Sequence, residues 1–461
     1  MHGQSIASAA RAALRQVGDG RLAQPPLAVR FWDGSCLPGP ATDVDDRQPP
    51  VLVATEPKAL AHLLYEPGQL GLARGWVDGS LRVRGDLEDV LALRGTLPEV
   101  RFSLRDRLRL AVTALRAAGP GVLRLPPRPA IEAAVGRRRH WLRAHTGDRL
   151  HSLGRDRVAV RHHYDISNDF YQQVLGPTMV YSCAYFSSPD DTLEQAQERK
   201  LDLICRKLRL AAGERLLDVG CGWGSLVLHA AARYGARAVG VTLSEPQAEL
   251  ARQRVHHAGL DDRVEVRVAD YRELTDGPYE KIASVGMYEH VGRAELGRYV
   301  RSVKQLLAPG GLFLNHGIAR LFSEEPTSDT FISRYVFPDG ELHPVGDLIG
   351  ELAAASMEVR DVESLREHYP LTLRRWAANL EAHRGEAIRI AGRERERAWT
   401  LYMLASAQAF ERGELTVYQV LSARPGRSPR LPLDRLQLLS TGPPSPGGPD
   451  QSEDHERSTM C

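Results

Sequence analysis

No C-x-x-C pair occurs in this chain, and its five cysteines (Cys36, Cys183, Cys205, Cys221 and Cys461) are odd in number and widely scattered. That excludes a disulfide framework and the usual zinc arrangements, so no metal is expected and the compartment reads as reducing. No stretch of about 18 consecutive apolar residues is present, which argues against a membrane-spanning helix. Residues 1–20 lack the continuous apolar segment of a secretory signal. The expectation is a cytoplasmic protein that meets a membrane only peripherally, at its inner face. Lysine is absent between Arg101 and Arg161, yet that stretch holds 15 arginines against four acids (Asp106, Glu132, Asp148, Asp156). Its net charge is +11, in a chain whose total is +2. Such a block points to an anionic partner, either a lipid headgroup surface or nucleic acid, or else to a solvated Arg-rich helical face. No aromatic-interleaved basic repeat and no N-P-P-Y-like base-methylation motif accompanies it, which argues against nucleic acid.

With 461 residues, 43% of them hydrophobic, the chain can build two or three domains with buried cores. Residues 1–150 read as a smaller α+β domain, a lipid-docking or accessory region. Its strand-like pieces Leu27–Trp32 and Ser80–Val83 are bounded by the turn signals Asp33-Gly34 and Asp78-Gly79. Leu104–Ala117 reads as a basic amphipathic helix with apolar residues at 104, 108, 111, 112 and 115, followed by a linker over 120–129. Over 151–424, strands (Arg215–Val219, Ala238–Thr242, Val264–Val268, Lys281–Val285, Gly311–His316) alternate with helices. Ser244 caps the helix Glu245–Ala258, which has Pro246 in its first turn. Tyr369–Ala391 and Arg393–Arg412 are long helical stretches, and Thr416–Ser422 is a closing strand. This order specifies an α/β fold: a mostly parallel, doubly wound sheet with its ligand at the carboxyl ends of the strands. Residues 425–461 have the Pro, Gly, Ser and charge content of a disordered tail.

Within the alternating region, Leu217-Asp218-Val219-Gly220-Cys221-Gly222-Trp223-Gly224 runs a buried strand into a glycine-rich turn and then a helix, Ser225–Tyr234. Glycines let the backbone turn sharply and approach a ligand, while the helix points its first amide hydrogens at it. The pattern G-x-G-x-G is shorter than the dinucleotide fingerprint and fits S-adenosylmethionine (AdoMet), which has no pyrophosphate to wrap. A dinucleotide-binding strand would end in an acid for the ribose; here Val239–Ser244 has none at its tip, and Glu245 comes too late. Thr242 and Gln247 are the candidates left for the ribose, against an ordinary turn-and-helix role.

Five ordered motifs narrow this further. His162-His163-Tyr164-Asp165-Ile166-Ser167-Asn168-Asp169-Phe170, Tyr181-Ser182-Cys183-Ala184-Tyr185-Phe186, the glycine turn, Gly286-Met287-Tyr288-Glu289-His290-Val291-Gly292 and Tyr335-Val336-Phe337-Pro338-Asp339-Gly340 together resemble the cyclopropane-fatty-acyl-phospholipid synthase family, which includes the mycolic acid cyclopropane synthases. The resemblance covers about 158–423 well. It extends more weakly to the N-terminal region, through Gly75-Trp76-Val77-Asp78-Gly79.

The resemblance implies a class I AdoMet-dependent methyltransferase fold and attack by a cis double bond of a phospholipid acyl chain on the AdoMet methyl group. It implies too that bound bicarbonate assists deprotonation and ring closure. An alkene needs no base to become a nucleophile. The cation that follows needs a dry slot and a base for one methyl proton. Carried over by motif, Cys183, Glu289, His316, the backbone of Ile318 and Tyr369 hold the bicarbonate. Tyr181 and Ser182 lie near the methionine end of AdoMet, Gly220 and Gly222 under it with Asp218 in the same set, Thr242 and Gln247 at the ribose, and Asp270 and Tyr271 at the adenine. Glu289 and His316 are each expected to end a strand. Tyr271, where mycolic-acid enzymes usually carry Trp, favours the phospholipid branch; His316, often replaced in methyl-branching relatives that make 10-methylene fatty acids, favours ring closure. Methyl branching is the alternative, a nucleic-acid-binding methyltransferase a weaker one, and homodimerisation stays open.

Overall fold

The computed structural model describes residues 5–16, 27–39, 49–93, 103–133, 167–321, 330–337, 340–426 and 431–440. The chain divides into two compact units, both discontinuous in sequence: 1–177 with 320–342 and 366–416, and 178–319 with 343–365 and 417–461. The expected boundary near residue 150, and residues 162–166 of the first motif, lie outside the described residues.

The first unit contains a four-stranded sheet of β1 (Ala28–Arg30), β2 (Cys36–Leu37), β3 (Val51–Ala54) and β4 (Leu81–Arg84), in the order β2-β1-β3-β4. Its distant segments are joined by buried polar contacts. Glu132 receives Arg74 Nε at 2.8 Å and Arg74 Nη2 at 2.6 Å, and Arg334 Nη1 at 2.8 Å and Tyr335 Oη at 2.7 Å also donate to it. These donors hold its carboxyl well below the usual range, at about 2. Trp76 Nε1 donates to the Arg397 carbonyl, and Arg397 Nε donates back to the Trp76 carbonyl with its guanidinium 4.5 Å from the Trp76 ring. The stretch expected as one helix over 369–391 is two, His368–Ala382 and Arg384–Ala391.

The amphipathic helix expected at 104–117 is present as Leu104–Ala118, opened by a Ser103–Asp106 capping box. Small residues at its C-terminal end, Ala117 and Ala118, lie against the core. Leu108, Val112 and Leu115 are exposed and share one face with exposed Arg105, Arg109 and Arg116. Exposed Leu123, Arg124, Leu125 and Arg128 follow directly.

The second unit carries a seven-stranded sheet of β5 (Arg215–Val219), β6 (Arg237–Thr242), β7 (Val264–Val268), β8 (Tyr279–Val285), β9 (Leu307–Arg320), β10 (Glu358–Ser364) and β11 (Leu415–Ala423), in the order β10-β11-β9-β8-β5-β6-β7. β7, β6, β5, β8 and β9 run parallel, and β10 is antiparallel to β11. The chain winds outward from β5 in both directions, which makes the carboxyl ends of β5 and β8 the switch point where such sheets bind ligands. Alternation along each strand separates two cores. Leu216, Ala283, Leu312, Leu314 and Leu421 join one, with the helices Leu193–Lys207, Ser225–Tyr234 and Glu245–His257; Leu217, Ile282, Phe313 and Val420 join the other, with Leu296–Leu306 and Val345–Ala354.

Two expectations need correction here. β9 does not stop at residue 316; it runs on to Arg320, because β11 continues the sheet beside it. The region after 424 is also not structureless throughout. Arg435–Ser440 is a short helix whose first residue pairs with Asp361 at 3.0 Å.

Candidate functional site

The glycine turn sits where β5 ends. Gly220, Gly222 and Gly224 have φ of +83°, +53° and +80°, values that a side chain would strain. The amides of Gly220 and Cys221 both donate to the Val241 carbonyl at 2.9 Å, so the turn is tied to the end of β6. A Cβ on Gly240 would lie 2.8 Å from Cys221 Sγ, which explains the glycine there and assigns Cys221 a packing role. A Cβ on Gly220 would lie 3.1 Å from Met287 Cβ, which places the turn against the segment that carries Glu289.

Around this turn the sequence-predicted cofactor residues fall into small groups. Thr242 Oγ1 donates to Gln247 Oε1 at 2.8 Å, an arrangement that commits the Gln247 carbonyl and leaves its amide hydrogens as donors. The Asp270 carboxylate is taken by its own loop: Arg272 N, Nε and Nη2 donate to it at 3.0, 2.8 and 2.7 Å. Tyr271 packs edge-on against Tyr299, with ring centroids 5.6 Å apart. Asp218 is buried at the end of β5 with Oδ1 lacking a hydrogen-bond partner in the protein, and burial pushes its carboxyl up to about 7. Tyr181 is half-buried, and the Ser182 hydroxyl accepts from Lys200 Nζ at 2.9 Å.

Of the expected acid–base set, Glu289, Ile318 and His316 are brought together. Glu289 does not end a strand; it lies in the short 3₁₀ turn Tyr288–His290 beyond β8. Its Oε1 accepts from the Ile318 amide at 2.7 Å, while Oε2 is buried without a protein partner. Burial outweighs the amide bond and pushes this carboxyl up to about 7. His316 is within β9, opposite Val285, the last residue of β8, and so reaches the same end of the sheet from a longer strand. It is two positions from Ile318 on one face, about 7 Å along the strand. Gln419 Nε2 donates to His316 Nδ1 at 3.2 Å, which assigns the neutral tautomer with its proton on Nε2. Nε2 is buried without a protein partner, and burial together with the charges of Lys200 and Lys207 keeps the ring neutral. Cys183 is fully buried, its thiol donating to the carbonyls of Ala184 at 3.3 Å and Leu365 at 3.8 Å. Tyr369 belongs to the first unit, where it is buried beside Phe410 at 4.6 Å between ring centroids and edge-on to Trp376.

Three residues here escaped the sequence reading: Lys200, Gln197 and Gln419. The helix Leu193–Lys207 packs on the face of the sheet that holds Leu216, Leu314 and Leu421. By strand alternation Asp218, His316 and Gln419 lie on that same face. The helix adds Gln197 and Lys200 to the polar groups in this layer; Gln197 Nε2 donates to the Ser182 carbonyl at 3.0 Å. Lys200 is fully buried, and burial pulls its ammonium down to about 8 against the opposing pull of Cys183 and Asp218. A signal was available: Lys200 stands on the apolar stripe Leu193, Ala196, Leu201 and Ile204, and Gln419 stands between Val417 and Leu421 in a buried strand. Among the described residues, no group of three or more His, Cys, Asp or Glu side chains is placed to hold a metal ion.

A sheet of this order, with a glycine turn after its first strand and unpartnered polar atoms at the carboxyl ends, defines a class I AdoMet-dependent methyltransferase. Residues 151–420 match the family described as mycolic acid cyclopropane synthetase. A probable fatty acid methyltransferase of Pseudomonas putida is 39% identical over 406 residues, covering 87% of this chain and 92% of its own. The cyclopropane-fatty-acyl-phospholipid synthase of Escherichia coli is 37% identical over 275 residues, covering 60% of this chain and 70% of its own. Of solved structures, the mycolic acid cyclopropane synthase CmaA1 complexed with SAH and CTAB aligns with a TM-score of 0.55 at 35% identity, covering 58% of this chain and 98% of that one. The cyclopropane synthase MmaA2 from Mycobacterium tuberculosis aligns with a TM-score of 0.56 at 32% identity. This chain belongs to the mycolic acid cyclopropane synthetase family.

The raised Glu289 carboxyl has a consequence for stability. Its acidity shifts from 4.5 unfolded to about 7 folded, so the folded state binds the extra proton between those values. The stabilisation is fully present below about pH 4.5 and is lost as pH rises through about 7. Glu289→Gln removes this titration. Unfolding in urea at pH 5 and pH 8 should therefore show the wild type losing about 3 kcal/mol relative to the variant. Parallel behaviour of the two proteins would mean that Glu289 is ionised throughout.

Proposed function

We propose that the protein alkylates the cis double bond of an unsaturated acyl chain in a membrane phospholipid and closes a cyclopropane ring. The observation that carries this reading is the pair of buried, unpartnered polar atoms Glu289 Oε2, in the turn just beyond β8, and His316 Nε2, within β9 opposite the last residue of β8. A neutral carboxyl and an imidazole N–H are two donors without an acceptor, a set suited to a small oxyanion. S-adenosylmethionine, when bound, supplies a methyl group carried on a sulfonium. Bicarbonate, when bound, supplies the base for a proton of that methyl.

Cys183, Glu289, His316 and Ile318 are the residues proposed to hold the bicarbonate, with Ile318 acting through its amide bond to Glu289. Glu289, with a proton affinity near neutrality, holds a proton beside an anion without a like-charge clash and can exchange it. Gln419 keeps His316 turned as a donor. The apolar layer around them excludes water that would otherwise trap a carbocation. For the cofactor, Gly220 and Gly222 lie under the methionine portion, Tyr181, Ser182 and Asp218 take its polar end, Thr242 and Gln247 the ribose, and Tyr271 the adenine. Asp270 shapes the adenine loop through Arg272.

A second reading has support of its own. The Pseudomonas relative is named a probable fatty acid methyltransferase, and a tuberculostearic acid methyltransferase of M. tuberculosis is 32% identical over 423 residues. In that reading the same cation undergoes a hydride shift before the methyl loses its proton, giving a 10-methylene chain; a 10-methyl chain would need a separate hydride donor to reduce that methylene. The acceptor double bond and the proton-handling set are shared.

We also propose that the exposed face of Leu104–Ala118 docks on anionic lipid. Leu108 is 67% and Leu125 73% exposed, and arginines interleave with the exposed leucines, the pattern of a segment lying in a membrane interface. Among the described residues no helix is long and apolar enough to cross a membrane.

With AdoMet and dioleoyl phosphatidylglycerol vesicles, the expected product gains one CH2 unit per double bond and shows ring-methylene protons by NMR. An exocyclic methylene would establish the second reading instead. Glu289→Gln should lower kcat about 100-fold or more while AdoMet affinity persists; an unchanged rate would remove Glu289 from proton handling. Replacing both Leu108 and Leu115 by Asp should weaken vesicle binding about tenfold, measured by cosedimentation. Undiminished binding would place the docking surface elsewhere.

A further inference from the structure

We infer that Lys200 is a positioning residue: it fixes the Ser182 hydroxyl as a donor to the carboxylate of the methionine end of AdoMet. This rests on the reading of the second unit as an AdoMet site.

The argument begins with hydrogen-bond polarity. A lysine ammonium has three donors and no acceptor, so in the 2.9 Å contact between Lys200 Nζ and Ser182 Oγ the serine oxygen accepts. The Ser182 hydroxyl hydrogen is thereby sent elsewhere, as a donor in need of an acceptor. Both residues are buried, Lys200 fully, so this polarity is not averaged by exchange with water. Burying a lysine is costly unless its charge is used. The nearby opposing charge is Asp218, close enough for each to act on the other's ionisation, yet Asp218 Oδ1 has no hydrogen-bond partner in the protein.

The segment holding Ser182 is itself fixed from the same helix, because Gln197 Nε2 donates to the Ser182 carbonyl at 3.0 Å. The result is a buried cation behind a hydroxyl donor, next to a buried carboxylate with an open oxygen. That charge pattern complements a zwitterion: carboxylate toward Ser182 and Lys200, ammonium toward Asp218. The free methionine end of AdoMet is such a group. Lys200 does not touch the reacting sulfonium; it acts through Ser182.

The test separates the carboxylate from the rest of the cofactor. Binding of AdoMet and of decarboxylated AdoMet, which lacks only that carboxylate, is measured by calorimetry on the full-length protein. The wild type should bind AdoMet about tenfold or more tightly than the decarboxylated compound. Lys200→Met should lose most of that preference, with affinity for the decarboxylated compound nearly unchanged. Ser182→Ala, a smaller change at a site whose backbone is held independently, should do the same, and the double variant should lose no more than either alone. If Lys200→Met does not fold, Ser182→Ala decides. Full preference retained in a folded variant, or equal weakening of both ligands, would overturn the assignment of Lys200. Failure of the wild type to bind AdoMet at all would instead overturn the reading on which it rests.

Discussion

Burial of polar groups without internal partners is the constraint on which the second unit depends. Glu289 Oε2, His316 Nε2 and Asp218 Oδ1 are all withdrawn from water and left without a hydrogen-bond partner in the protein. Each such group costs about 1–3 kcal/mol, a penalty that a chain folding for stability alone would remove with apolar side chains. The surrounding residues hold these groups in place and do not satisfy them. The Ile318 amide takes one Glu289 oxygen, Gln419 takes one His316 nitrogen, and Lys200 takes the Ser182 oxygen. In each case the remaining atom has a fixed role, as proton carrier or donor.

The sheet makes this arrangement possible. Its strands alternate between two apolar cores, so a polar residue in phase with Leu216, Leu314 or Leu421 enters a dry layer at a defined depth. Asp218, His316 and Gln419 do so from three strands, and Lys200 enters from the helix above. Because β8 stops at Val285 while β9 continues, His316 can lie inside a strand and still face the open end of its neighbour. The proposed acceptor, an alkene, suits such a layer, since its cation survives only where water is scarce.

Much of this was legible in the sequence, for identifiable reasons. The glycine turn was readable because only glycine tolerates its φ values, and Ser244 with Pro246 marked a helix start that is found, Ser244 accepting from the Gln247 amide. Glu289 was legible as a residue of an ordered motif and His316 through the family resemblance, whereas His316's position within a longer strand depended on pairing with β11, a contact made far away in sequence. Lys200 and Gln419 carry no motif; their meaning lies in standing on buried stripes. The helix Leu104–Ala118 was legible as basic and amphipathic, but what covers its stripe was not, because apolar periodicity marks a face and does not say whether protein or lipid covers it. Tyr335 stands in one of the ordered motifs, yet its hydroxyl serves the buried Glu132 of the first unit.

The central claim is that a methyl group is added to an acyl double bond and then gives up one of its own hydrogens inside the protein. Donor AdoMet with a fully deuterated methyl group tests this most directly on unsaturated phospholipid vesicles, with products read by mass spectrometry and deuterium NMR. The account predicts that the double bond disappears and that each new ring carbon retains two deuterons, the third having been removed as a deuteron. A product that keeps all three deuterons with its double bond intact would show methylation of another group and contradict the account.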